Sequence, residues 1–176
     1  LNWTFTLRQG VTFHDGAAFN ADAAKYALMR TITMNQGSAY IWLPLGNASQ
    51  SAQNIEVKGT YTIVFHLLYV AAMDRIASSG YAAYMFSPNT PGANYTLQQK
   101  WFNAGHDSGS GPYTINTAQY SNSYVVLDKY ANYWGGWKAG QFDHAVIKVI
   151  PDQIQREQAV TSKAADITED VPLKDI

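Results

Sequence analysis

The residues most able to do chemistry lie between His106 and Pro112, where His106-Asp107-Ser108 runs into Gly109-Ser110-Gly111-Pro112. A histidine, a carboxylate and two hydroxyls within five positions invite a nucleophilic reading, in which Ser108 or Ser110 attacks and His106 takes the proton. The spacing argues against it. Ser108 is flanked by Asp107 and Gly109, with Gly105 three positions before it, so the Gly-x-Ser-x-Gly elbow of serine hydrolases does not form. The same loop supports a binding reading instead. Gly109 and Gly111 free the backbone while Pro112 fixes it, and successive amides in such a run form a nest for a carboxylate or carbonyl. Ser108, Gly109, Ser110 and Gly111 are therefore candidate ligand contacts, with a tight packing turn as the alternative.

Tyr40 and Trp42 form a second candidate group, since flat amphipathic rings in an irregular stretch suit stacking on a peptide or sugar face. A buried aromatic core explains them equally well. His14, His66, His106 and His144 are scattered without the helical spacing that builds a metal site, and His66 reads as the solvent side of a strand. The chain has no Cys, which removes thiol nucleophiles, zinc ribbons, iron–sulfur clusters and disulfide scaffolds. No catalytic residue, metal or cofactor is expected.

The elements that must hold these groups can be read from periodicity. Trp3, Phe5 and Leu7 alternate with polar residues, and Val11 and Phe13 continue after Gly10, which predicts a strand pair with a turn at Gln9-Gly10. Asn20 caps a predicted helix over 21–31. Residues 33–54 lose their period and read as a long aromatic-bearing loop. Ile55 and Val57, then Ile63, Phe65 and Leu67, predict a hairpin. A short helix follows over 71–79, stopped by Gly80, and a second, capped by Thr96, runs through Leu97 and Trp101 and closes at Gly105. A second hairpin spans 113–128. Residues 145–150 read as a largely apolar, central strand, followed by a helix from Pro151-Asp152 to Ala164 and a short strand at Asp166-Ile167. Helices and strands alternate without repeats, so the fold class is α/β or mixed α+β.

The 176 residues suffice for one domain with a real core. A net charge of -1, with 14% charged residues, offers no basic field for nucleic acid or an anionic membrane. The longest apolar stretch, 61–73, is too short to span a bilayer. Leu1 opens directly on a strand pattern with no leader, and the other end stops just after strand-like residues, so both ends are expected to be boundaries within a longer protein. Asn2, Asn47 and Asn94 open N-x-[ST] sequons, compatible with an exported glycoprotein but hardly more than chance provides.

Taken in order, these motifs resemble the solute-binding proteins of ABC importers, in the family that binds dipeptides, oligopeptides and nickel. The stretch from Trp3 to Gly16 looks like the family's opening strands, and Phe19-Asn20-Ala21-Asp22-Ala23 like its helix start, with Tyr26 and Arg30 on that helix. Ser108-Gly109-Ser110-Gly111-Pro112-Tyr113 is similar to its Gly-Thr-Gly-Pro-Tyr loop, with Ser110 in place of Thr. Leu127 and Asn132-Tyr133-Trp134-Gly135-Gly136 are similar to its Asn-x-x-Tyr-Trp-Gly bend, and the series closes with residues 146–152, Arg156, Ala159 and Asp166-Ile167. Lys163-Ala164-Ala165 stands where a Gly-Glu pair is common.

The resemblance implies a partial lobe of the periplasmic-binding-protein-like type II fold, a mixed sheet flanked by helices. Residues 1–112 would form its small subdomain and 113–176 the strand-rich part joining the core sheet, with the second lobe absent. It implies a non-enzymatic, extracytoplasmic receptor, membrane-anchored at full length, that closes on a short peptide and presents it to permease subunits. An oligosaccharide ligand is the first alternative. A secreted hydrolase or surface domain sharing the fold is the second, with Ser108, Ser110 and His106 as the residues to mutate.

Overall fold

The computed structural model describes residues 1–78 and 83–169. Its elements run β1 Asn2–Thr6, α1 Ala21–Met34, a 3-10 helix Gly37–Leu45, α2 Ala48–Asn54, β2 Ile55–Gly59 and β3 Thr62–His66. They continue as α3 Met73–Ser78, α4 Tyr95–Asn103, β4 Tyr113–Tyr120, β5 Tyr124–Lys129, β6 His144–Lys148 and α5 Gln153–Thr161. The mixed α and β class follows the sequence. The strands make two three-stranded sheets, ordered β1-β3-β2 and β4-β5-β6, and every described pairing is antiparallel.

The first sheet carries the expected hairpin, with Val57 opposite Ile63 and Ile55 opposite Phe65. Its third strand overturns the predicted pairing at the start of the chain. β1 lies against β3, Trp3 opposite Phe65 and Phe5 opposite Ile63, and not against residues 11–13. The latter instead fold back on 17–19: Phe13 N–H donates to Ala17 O, Phe19 N–H donates to Val11 O, and Thr12 bridges Ala18. Alternation marks a half-buried strand but says nothing about which neighbour it chooses.

Against this sheet lies α1. Asn20 accepts from Ala23 N–H at 2.9 Å, as a cap should, and Ala24, Leu28 and Ile32 repeat at four-residue intervals on the buried face. Ile32 carries the helix past 31 to Met34, where Asn35 closes it in the left-handed conformation at φ 47°. Asn20→Ala is expected to cost about 1 kcal/mol, read as a lower urea midpoint with an unchanged slope.

The stretch 33–54, expected as loop, is largely helical. Ala39, Trp42 and Leu45 recur every third residue and all three are buried, the period of a 3-10 helix and not of an α-helix. Asn47 and Gln50 then form a reciprocal capping box that starts α2. Buried Ser51 and Asn54 donate to the carbonyls of Leu45 and Gly46, fixing the two helices together. Trp42, Leu45, Ile55, Ile63, Phe65, Leu28 and Met73 make one core.

Further along, the cap of α4 is Asn94, two residues before the expected Thr96, because Asn94 is the residue that accepts from Leu97 N–H. Two sequon asparagines, Asn47 and Asn94, are thus helix caps. The predicted stop at Gly80 lies outside the described residues.

In the second sheet β4 and β5 pair as expected, but β6 is not central among the described residues: it pairs with β5 alone. Val146 and Ile147 are 54% and 55% exposed, and α5, capped by Asp152, buries no residue. Adjacent apolar side chains point to opposite faces of a strand, so this one needs cover on both. Asp166-Ile167 forms no strand, and Ile167 stands in solvent.

Candidate functional site

The glycine-rich loop is fixed by long-range contacts that leave few of its groups unused. His14, at the end of the buried Val11–Phe13 segment, donates through its backbone N–H to Gly109 O at 2.8 Å and through ring Nε2 to Gly111 O at 2.9 Å. Its other ring nitrogen, Nδ1, meets the Asp107 carboxylate. Asp107 also accepts from Ile115 N–H at 2.8 Å and Gly109 N–H at 3.3 Å. The anion in this nest is therefore the chain's own side chain.

On the far side, Trp134 Nε1–H donates to Ser110 O at 2.8 Å, with the Arg8 guanidinium 4.8 Å above the indole ring. Tyr130 N–H donates to Pro112 O, and the Tyr130 ring lies 4.7 Å from the His14 imidazole. Below it, Ser87 N–H donates to Ser108 O and Ser87 Oγ–H donates to Asp15. Every carbonyl from Ser108 to Pro112 accepts a hydrogen bond.

The candidate residues separate sharply. Ser108 is 3% exposed, and its hydroxyl pairs with that of Thr90 at 2.6 Å rather than with an imidazole. His106 stacks on Trp101 at 4.7 Å. Ser108, one of the two nucleophiles of the hydrolase reading, thus has its hydroxyl on Thr90, and His106 lies against Trp101. Gly109 has its amide on Asp107, while Ser110 and Gly111 are half-buried. Trp42 is 1% exposed in the core, 6.0 Å from Phe65; Tyr40, two residues earlier, is 67% exposed. Leu43, Leu68 and Tyr69 are exposed as well, and Leu68 N–H donates to Pro44 O, which ties the 3-10 helix to the segment after β3. The structure does not place Tyr40 and the glycine loop in one described cavity. A groove of about 420 Å³ beside the loop is lined by Asn89, Trp101, His106, Ser108, Thr114 and Thr117, among others.

Sequence reasoning missed His14 and Asp107 as a pair. They are 93 positions apart, and no local pattern links them. Burial by itself would lower the pKa of His14, but the hydrogen bond to Asp107, the Gly111 carbonyl and the charges of Asp107 and Asp15 outweigh it and raise it above 6.5. For Asp107 burial pushes upward, and the bonds from His14, Ile115 and Gly109 more than reverse this, holding it below 3.8.

All of residues 1–176 match the family described as bacterial extracellular solute-binding proteins, family 5 Middle. The chain belongs to this family. Among family 5 relatives, it is 29% identical to the glutathione-binding protein GsiB of Pectobacterium atrosepticum, covering 99% of this chain and 32% of that protein. It is 26% identical to the oligopeptide-binding protein AppA of Bacillus subtilis, over 86% of this chain and 27% of that protein. The crystal structure of an ABC transporter substrate-binding protein from Sinorhizobium meliloti superposes with a TM-score of 0.68 at 25% identity, covering 92% of this chain and 30% of that one. The chain therefore spans about a third of the length of the curated relatives it matches. The fold is that of a periplasmic-binding-protein-like solute-binding protein, as the order of motifs implies.

Proposed function

We propose that the protein is the extracytoplasmic solute receptor of an ABC importer and that its solute is a short peptide. The end-to-end match of residues 1–176 to family 5 carries this reading. Glutathione is a tripeptide, and the two curated relatives quoted above are named for glutathione and oligopeptides. Neither name supports the oligosaccharide alternative. The receptor makes and breaks no bond: the solute stabilises a closed state by its differential affinity, and permease subunits recognise that state.

In this reading residues 1–112 are the small subdomain and 113–176 the strand-rich part of one lobe. That each range has its own three-stranded sheet supports the division. The remainder of the protein covers the exposed faces of β6 and α5. Tyr40, Ser110 and Gly111 are the contacts of choice, because they retain accessible surface. Trp42 and Ser108 support them from below, and Gly109 does so through Asp107.

The test is calorimetric titration of the intact protein with glutathione, di- and tripeptides, an oligosaccharide and nickel–histidine. A peptide is expected to bind at least about 100-fold more tightly than the oligosaccharide, and Tyr40→Ala to weaken it about tenfold, a loss of roughly 1.4 kcal/mol of contact. Tightest binding of the sugar or the nickel complex would refute the peptide assignment.

A further inference from the structure

His14 is surrounded on both ring nitrogens by groups that can only accept. Gly111 O is a carbonyl, so Nε2 carries a proton. Both oxygens of Asp107 already receive backbone amides, from Gly109 and Ile115, which marks it as a carboxylate and puts a proton on Nδ1 as well. An imidazole with two protons is a cation. The groups facing it from the packed segments agree: Asp107 from the loop, the Asp15 carboxylate next in sequence and the Tyr130 ring after β5, with no cationic neighbour among the described contacts.

From this geometry we infer that His14, as an imidazolium, is the positioning residue of the loop 107–111, and that docking of this loop is linked to the binding of one proton. Removing that proton leaves a nitrogen lone pair against an oxygen lone pair, at Asp107 or at Gly111, so the ring cannot keep both contacts. The loop is then held to the segment that ends at His14 only by the backbone bond from His14 N–H to Gly109 O and by one ring contact, a weaker link. Only the loop's relevance to the solute rests on the function proposed above; the linkage itself needs no ligand.

The test follows the intact protein by NMR and hydrogen exchange across pH 5–9. The His14 ring is expected to titrate above its usual 6.5, and the protection of the His14 and Ile115 amides, corrected for intrinsic exchange, to fall at least about tenfold through the same midpoint. In His14→Gln, which keeps a donor but cannot titrate, that step disappears. In Asp107→Asn the His14 midpoint drops. Protection that stays flat through the His14 titration, a midpoint below 6.5, or an unchanged step in His14→Gln would overturn the proposal. The wild-type titration decides alone if a variant does not fold. Loss of peptide affinity is scored separately: a protein that shows the proton-linked step but binds no peptide refutes the solute assignment and leaves this one standing.

Discussion

Replacing Trp42 with alanine is expected to lower the stability of the intact protein by about 3–5 kcal/mol. Trp42 is fully enclosed, packs on Phe65, and is the middle member of the Ala39, Trp42, Leu45 row that seats the 3-10 helix on the first sheet. Deleting the indole removes its transfer energy and leaves a cavity that α1 and β3, already paired and capped, cannot close by collapsing. Trp42→Phe keeps most of the volume, so a loss of about 1–2 kcal/mol is expected there. Urea unfolding followed by circular dichroism measures both. An alanine variant that loses less than about 1 kcal/mol would mean that Trp42 is not a core residue in the intact protein.

Asp107→Ala comes next, with an expected loss of about 2–4 kcal/mol. One substitution takes the partner from His14 Nδ1, the Ile115 amide and the Gly109 amide together, and leaves a mostly buried cation with only the Gly111 carbonyl as a hydrogen-bond acceptor. The figure sits below the full value for a buried pair because the Asp107 side chain keeps 22% of its exposure. The pH dependence has a definite sign. Asp107 titrates below 3.8 in the folded protein, so its contribution is present above that value and fades as pH falls through its lower folded pKa. His14 titrates above 6.5, so its contribution is complete below 6.5 and fades as pH rises through its higher folded pKa. Between about 3.8 and 6.5 both are whole. Urea midpoints measured from pH 3 to 9 should therefore fall at both ends in the wild type and fall less steeply at both ends in Asp107→Ala. A variant that keeps the wild-type profile would remove the pair from the stability of the fold.

Much of this architecture is legible one segment at a time. The capped helix at Asn20, the two hairpins and the closing turn at Gly105 follow from side-chain period, cap chemistry and glycine, which act within a few residues. The 3-10 helix was legible too: its buried residues repeat every third position, a period that a search for 3.6 and 2 passes over. So was α2, in the Asn47–Gln50 capping box. The choice of β3 as the partner of β1, in place of the segment after Gly10, was not. Several apolar strands compete for one edge, and the winner is set by which pairing also buries Trp3 and Phe5 under the common core.

The candidate site divides in the same way. Local sequence identifies a loop whose glycines can present backbone amides, and it supplies the ordered motifs that mark family 5. It does not say that Asp107 turns back into that loop, that Ser108 is sealed beneath Thr90, or that Trp42 points inward while Tyr40 points out. Those outcomes depend on groups tens of residues away: His14 reaches Asp107 across 93 positions, and Trp134 reaches Ser110 across 24. The sequence by itself determined the family, the Asn20 cap and the hairpins, because each is encoded by neighbours in the chain. Only the tertiary structure decided which loop groups remain available to a solute, because burial and hydrogen-bond satisfaction depend on what the folded chain brings alongside.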